Sequence, residues 1–211
     1  MKKILLLLTL FFISCGIPYD GDTIVTVDLN LVDANNIPIE NQNVTIYSYD
    51  GSVGTNNAGY TKRTDTYGFV NFKMFQPAHD FDVLIDENLD FLPVRLIQFN
   101  KNNFDDYNLN IGTIRLFKLD DLTQLSITTN QTSGNKILQK IEVDAIKYEA
   151  IINLNSIIDA SQQDIQTAFE LKKNQNFILK YTIKNLINNT TEEFQENLTI
   201  GINPITYTIT Y

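Results

Sequence analysis

The feature that most constrains this chain is alternation of apolar and polar residues, which returns in short runs along most of its length. Val25, Val27, Leu29 and Leu31 alternate with Thr26, Asp28 and Asn30. A period of two puts the four aliphatic side chains on one face of an extended strand and leaves the other face to solvent. The pattern recurs in Val44-Thr45-Ile46-Tyr47, in Val70, Phe72 and Met74, in Phe81, Val83 and Ile85, in Val94 to Phe99, and in Leu109 to Leu116. Asn35-Asn36 with Pro38 marks a turn. Gly68, in Thr64-Asp65-Thr66-Tyr67-Gly68-Phe69, is placed for the positive φ of a tight turn, and Gly112, where the alternation changes phase, for a bulge. About seven short strands in roughly 95 residues are the mark of a β-sandwich.

The pattern breaks at Lys118 to Leu122 and a second alternating set begins. It comprises Leu125, Ile127 and Thr129, then Ile146, Tyr148, Ala150, Ile152 and Leu154, then Phe177, Leu179, Tyr181 and Ile183, and last Ile205, Tyr207, Ile209 and Tyr211. Asn188-Asn189 suits a hairpin tip between Ile183 and Phe194. Ser161 with Asp164 reads as a helix start, and Ile165, Ala168 and Phe169 fall at i, i+3 and i+4, so one short helix is expected near 162–170. The expectation is an all-β chain of two antiparallel β-sandwich domains, 24–119 and 120–211, each with its own core. The second is expected to be immunoglobulin-like and to carry the helix.

The first domain resembles the carboxypeptidase regulatory-like domains of transthyretin (prealbumin-like) fold. The resemblance rests on Val32-Asp33, Ile37-Pro38-Ile39, Val44-Thr45-Ile46, the Thr64-to-Phe69 turn and the closing Ile111-Gly112-Thr113-Ile114-Arg115-Leu116, in that order over about residues 24–118. It implies a non-catalytic module, because hydrolysis in carboxypeptidases belongs to a separate zinc domain.

The amino terminus supplies an address. Met1-Lys2-Lys3 is basic, Ile4 to Ile13 is apolar except for Thr9, and Ser14 precedes Cys15, the sole cysteine. A run this short falls well below the roughly 20 residues of a spanning helix and fits a secretory signal over 1–14. Phe12-Ile13-Ser14-Cys15-Gly16 is similar to the lipobox of bacterial lipoproteins, with phenylalanine where leucine is most common. The resemblance implies that Cys15 is acylated, that 15–23 is a lipidated tether, and that one partner is the lipid bilayer. Gly16 after Cys15, with no aspartate beside it, points by analogy to the outer membrane. With no second cysteine there is no disulfide framework, so stability must come from apolar burial, for which 43% hydrophobic residues are ample.

A net charge of −9, lower still once Lys2 and Lys3 are removed, disfavours nucleic acid, whose phosphates need clustered Lys and Arg. His79 is the only histidine and stands in a turn, Gln76-Pro77-Ala78-His79-Asp80. No zinc cluster and no Ser-His-Asp set is expected around it. Acids concentrate at Asp80, Asp82, Asp86, Glu87 and Asp90, at Asp105-Asp106 and at Asp120-Asp121, in no calcium-loop spacing. Neither a catalytic residue, a metal nor a cofactor is expected. Tyr47, Tyr49, Asp50, Asn56, Asn57 and Tyr60 flank or lie in a glycine-rich loop and form the candidate binding loop, since sandwiches carry recognition on such loops. The expected function is a membrane-anchored, non-catalytic binding or assembly module contacting an envelope protein or glycan. A structural subunit of a fimbrillin-type pilus is the alternative, and a secreted hydrolase the third reading.

Overall fold

A computed structural model describes residues 23–48, 58–86, 90–153 and 165–211. The first half forms β1 (Ile24–Val32), β2 (Asn43–Ser48), β3 (Ala58–Arg63), β4 (Phe69–Phe75), β5 (Phe81–Ile85), β6 (Val94–Phe99) and β7 (Asn108–Arg115). In β1 the four alternating aliphatics are all buried and the intervening residues lie outside the core. β1 pairs antiparallel with β4 and parallel with β7, giving a three-stranded sheet in the order β4-β1-β7. Against it packs a sheet in which β6, β5, β2 and β3 are neighbours in that order. Val25, Val27, Leu29, Leu31, Val44, Ile46, Phe72, Phe81, Val83 and Leu96 are among the side chains that fill the space between them. Each such side chain contributes roughly 1.5–3 kcal/mol on burial.

The second half forms β8 (Leu122–Asn130), β9 (Lys136–Asp144), β10 (Ile151–Asn153), β11 (Ala168–Lys172), β12 (Gln175–Asn185), β13 (Thr190–Ile200) and β14 (Ile205–Thr210). Its sheets run β11-β8-β14 and β13-β12-β9, around Leu125, Ile127, Phe169, Leu171, Phe177, Leu179 and Ile209. The order repeats that of the first sandwich strand for strand. β8, β9, β11, β12, β13 and β14 take the neighbours and pairing directions of β1, β2, β4, β5, β6 and β7, including the parallel pair between first and last strand. β10 stands where β3 stands in chain order, yet it pairs parallel with β6, on the far edge of the first sandwich's sheet.

The two-sandwich, all-β expectation thus holds, with Gly68 at φ 74 and Gly112 at φ 85. The β1/β7 register shifts between Asp28 and Leu29, where Ile111 is the extra residue, and Asn189 turns at φ 55. Two elements differ. No helix occupies 165–170: Ala168–Lys172 is a strand, with Phe169 and Leu171 both inward, while 161–164 lie outside the described residues. The single strand expected from Ile146 to Leu154 is instead two pairings with different partners. Lys147 bridges Leu171 of β11, and only Ile151–Asn153 forms a regular strand, on β6. Residues 151–153, assigned by sequence to the second domain, therefore complete a sheet of the first.

Candidate functional site

Of the candidate binding loop, Tyr49, Asp50, Asn56 and Asn57 lie outside the described residues, as does Cys15. Tyr47 and Tyr60 are described, and the strand register separates them. Tyr60 is opposite Ile46, whose side chain is buried in the core, whereas Tyr47 is opposite Gly59. Neighbouring positions on a strand face opposite ways, so Tyr60 and Tyr47 point to opposite faces of the hairpin. Gly59 leaves room for the Tyr47 ring, whose nearest atom would be 3.5 Å from a Cβ placed there.

Three acids, Asp33, Asp65 and Asp121, are occupied by turn geometry. Asp33 Oδ1 accepts the amides of Asn35 and Ile37 at 2.8 and 2.9 Å, and Asp65 Oδ1 those of Tyr67 and Phe69, both at 2.9 Å. Asp121 Oδ2 accepts the amide of Lys118 at 3.0 Å. These are the side-chain turns that short acidic residues favour. His79 is exposed in its turn. Among the described residues no group of His, Cys, Asp and Glu is arranged to hold a metal ion, and no helix is long and apolar enough to cross a membrane.

One acid is different. Asp82, on the outward face of β5, is buried to 5% exposure. Its Oδ2 accepts Arg95 Nε at 2.8 Å and lies 2.6 Å from the other guanidinium nitrogen, while Oδ1 accepts the Gln98 amide at 3.1 Å. Phe81 pairs with Phe99 but Val83 with Leu96, so two residues of β6 oppose the single Asp82, and Gln98 sits in the bulge at φ 67. A buried carboxylate is tolerable only with such partners. In the sequence Asp82 is one of a run of acids and nothing marks Arg95 as its partner. Their pairing depends on a bulge in β6 that no local signal announces.

The bulge seats the segment 146–153, which acts as a strap between the sandwiches. On the second, Gln175 Oε1 accepts the Ile146 amide and Gln175 Nε2 donates to the Ile146 carbonyl, both at 2.8 Å, and the Tyr148 amide donates to Glu170 O at 2.9 Å. On the first, the Arg95 amide donates to Ala150 O at 2.9 Å, β10 pairs with β6, and Asn153 Nδ2 donates to Gln98 Oε1. Between them the Tyr148 hydroxyl donates to Pro93 O at 2.8 Å and its ring meets Phe117 edge-on, centroids 6.3 Å apart. Phe117, Ala34 and Leu122 form a small third core, with Leu92, Ile146 and Tyr148 packed on it. Lys172 Nζ donates to Asn35 Oδ1 at 3.1 Å across the same junction.

Inside the second sandwich Tyr181 stacks on Phe194, centroids 5.0 Å apart. Tyr181 also shares a side-chain hydrogen bond with Tyr207 near Glu196. Burial foremost, then the neighbouring Tyr207 and Glu196, raises the Tyr181 pKa above the usual 10.0. Burial and Glu196 likewise raise that of Tyr207. Both hydroxyls are thereby held protonated, as neutral hydrogen-bonding groups.

No family model matches the sequence, and no curated protein does. Among solved structures the chain is similar to the Bacillus anthracis TIE protein, at 15% identity and a TM-score of 0.34, over 89% of this chain and 34% of that one. It is similar to the 3-chlorocatechol 1,2-dioxygenase of Rhodococcus opacus at 11% identity and a TM-score of 0.38, over 49% of this chain and 66% of that one. Similarity to BcpA, the major pilin subunit of Bacillus cereus, is 10% identity with a TM-score of 0.36, over 84% of this chain and 69% of that one.

Proposed function

We propose that this chain is a non-catalytic, lipid-anchored building unit of the cell envelope, a structural subunit of a fimbrillin-type surface assembly. The observation that supports it is the strap. One segment hydrogen-bonds to a sheet of each sandwich and packs its tyrosine in the joint between them. A load applied to either sandwich is passed to the other through main-chain hydrogen bonds as well as through the linker at 118–122. Coupling of this kind serves a unit that bears or transmits force along a surface structure. Cys15, acylated, would tie it to the outer membrane, since several acyl chains hold where one does not. A binding module that contacts an envelope protein or glycan through the Tyr47-to-Tyr60 hairpin has less behind it, because its two described tyrosines face opposite ways.

Immunogold electron microscopy of intact cells, with an antibody to residues 120–211, tests the reading. Label should follow elongated surface material and leave with it on mechanical shearing. Label spread evenly over the envelope, with nothing in the sheared fraction, would overturn it.

A further inference from the structure

Resting on the assembly reading above, we propose that copies of this chain associate head to tail by edge-to-edge pairing of β3 of one copy with β13 of the next. β13 is the outermost strand of its sheet and pairs with β12 at every position from Thr190 to Ile200 without a register shift. It contains no proline, so along its outer edge an unbroken row of main-chain donors and acceptors has no partner strand among the described residues. Native proteins ordinarily blunt such an edge with bulges, proline, cover or charged side chains; β13 has only the last, and like charges repel a second copy of the same edge while leaving it open to an edge of opposite charge. The molecule itself holds a precedent for what such an edge can receive. β13 is the counterpart of β6, and the outer edge of β6 takes β10, a strand supplied by the neighbouring sandwich. β3 is the outermost strand at the other end of the first sandwich's larger sheet, and it too is unbulged.

Charge selects this pair of edges. β3 ends in exposed Lys62 and Arg63, and β13 carries Glu192, Glu193 and Glu196. Tyr60 and Lys62 share one face of β3, while Glu192, Phe194 and Glu196 share one face of β13. An aromatic with a cation on one edge thus meets an aromatic flanked by carboxylates on the other. Lys62 Nζ already donates to Asn71 O at 2.8 Å, but an ammonium keeps further protons for a carboxylate. The other open edges fit less well, β10 being three residues long and without charge. β7 and β9 are bulged, and β14 carries no charged residue. Lys62 reaches over β4, and the strap covers β11. Because the two edges lie on different sandwiches, the contact is heterologous: each copy keeps a free β3 edge or β13 edge after pairing, so association continues beyond two copies unless the rotation between them closes a ring.

The full-length chain carrying Cys15→Ser, which removes acylation as a cause of clustering, is followed by sedimentation over a concentration series at low and high salt. Association should rise with concentration and weaken with salt. Lys62→Glu/Arg63→Glu should weaken it roughly tenfold, as should Glu192→Lys/Glu193→Lys. An equimolar mixture of the two variants should restore it, because each reversed edge then faces its complement. Self-association that neither variant disturbs, or a mixture that restores nothing, would overturn this edge pairing and leave the assembly reading standing. A monomer at every concentration would overturn the pairing, and whether the assembly reading falls with it is then decided by the sheared fraction.

Discussion

Gly68→Ala tests whether the turn before β4 is locked as tightly as its geometry indicates. The glycine has φ 74, and a Cβ there would stand 2.3 Å from the Leu31 carbonyl oxygen, well inside the 3.0 Å below which real Cβ atoms are essentially never found. That oxygen accepts the Ile39 amide at 3.0 Å, and the Gly68 carbonyl in turn accepts the Leu31 amide at 2.8 Å. Relieving the clash therefore costs hydrogen bonds that hold β1 against the turn. The left-handed backbone costs alanine about 1–2 kcal/mol, offset by about 0.4–1 kcal/mol through the less flexible unfolded chain. Two weakened hydrogen bonds add about 1 kcal/mol each. The total is about 2–3 kcal/mol, a fall in Tm of roughly 5–10 °C for a chain of this size. Gly112→Ala is the control. It shares the positive φ, but nothing lies within 4 Å of its added Cβ, so only the backbone term remains, about 1 kcal/mol or less. Thermal melts followed by circular dichroism compare the two. Equal losses of Tm would show that the carbonyl contact does not constrain the turn.

Three further outcomes follow from particular residues. Arg95→Met strips the buried Asp82 of its guanidinium while the stem still packs, and it should cost about 2 kcal/mol in urea denaturation, below the 3–5 of a fully buried pair because the arginine is half exposed; no change in midpoint would mean that Asp82 is satisfied without it. The raised pKa values of Tyr181 and Tyr207 mean that the unfolded chain gives up these protons first. The pair's contribution to stability should be constant up to about pH 10 and be lost as pH climbs through the folded values, so that the alkaline fall is smaller in Tyr207→Phe; an equal alkaline fall in both proteins would remove the tyrosine pair as the cause. Metabolic labelling with a palmitate analogue should mark the wild-type protein and leave Cys15→Ala unmarked, and labelling that persisted in the variant would refute acylation at Cys15.

Where one strand keeps one partner, alternation was enough to read it. Val25 to Leu31 and Val70 to Met74 bury every second residue as their pattern implies, and so does Phe177 to Ile183 except at half-buried Tyr181. The misreadings share a cause, which is that side-chain periodicity reports burial and says nothing about what does the burying. Tyr148 and Ile152 are both packed inward as the alternation implies, but Ala150 between them is exposed, because the chain changes sandwiches there, and Leu154 lies outside the described residues. In β9, Leu138 and Ile141 both reach the core although they are three apart, because a bulge at Gln139 resets the phase, and the strand was passed over. Ala168 and Phe169 fit a helix by spacing, but five residues are too few to tell helix from strand. β3 offered no alternation because an edge strand of polar residues is wet on both sides. The shared strand order of the two sandwiches left no trace in composition or motif, since it resides in pairing alone.

The coupled tandem is tested most directly by hydrogen exchange with mass spectrometry across a urea series, reading β5 peptides for the first sandwich and β12 peptides for the second. In Tyr148→Ala the hydroxyl bond to Pro93 and the edge-on contact with Phe117 are lost together, about 2 kcal/mol taken from the joint. In the wild-type chain both sets of peptides should lose protection at the same urea concentration, and in Tyr148→Ala they should separate into two steps. Two steps already present in the wild type, or a single unshifted step in the variant, would contradict the strap as what makes the two sandwiches one unit.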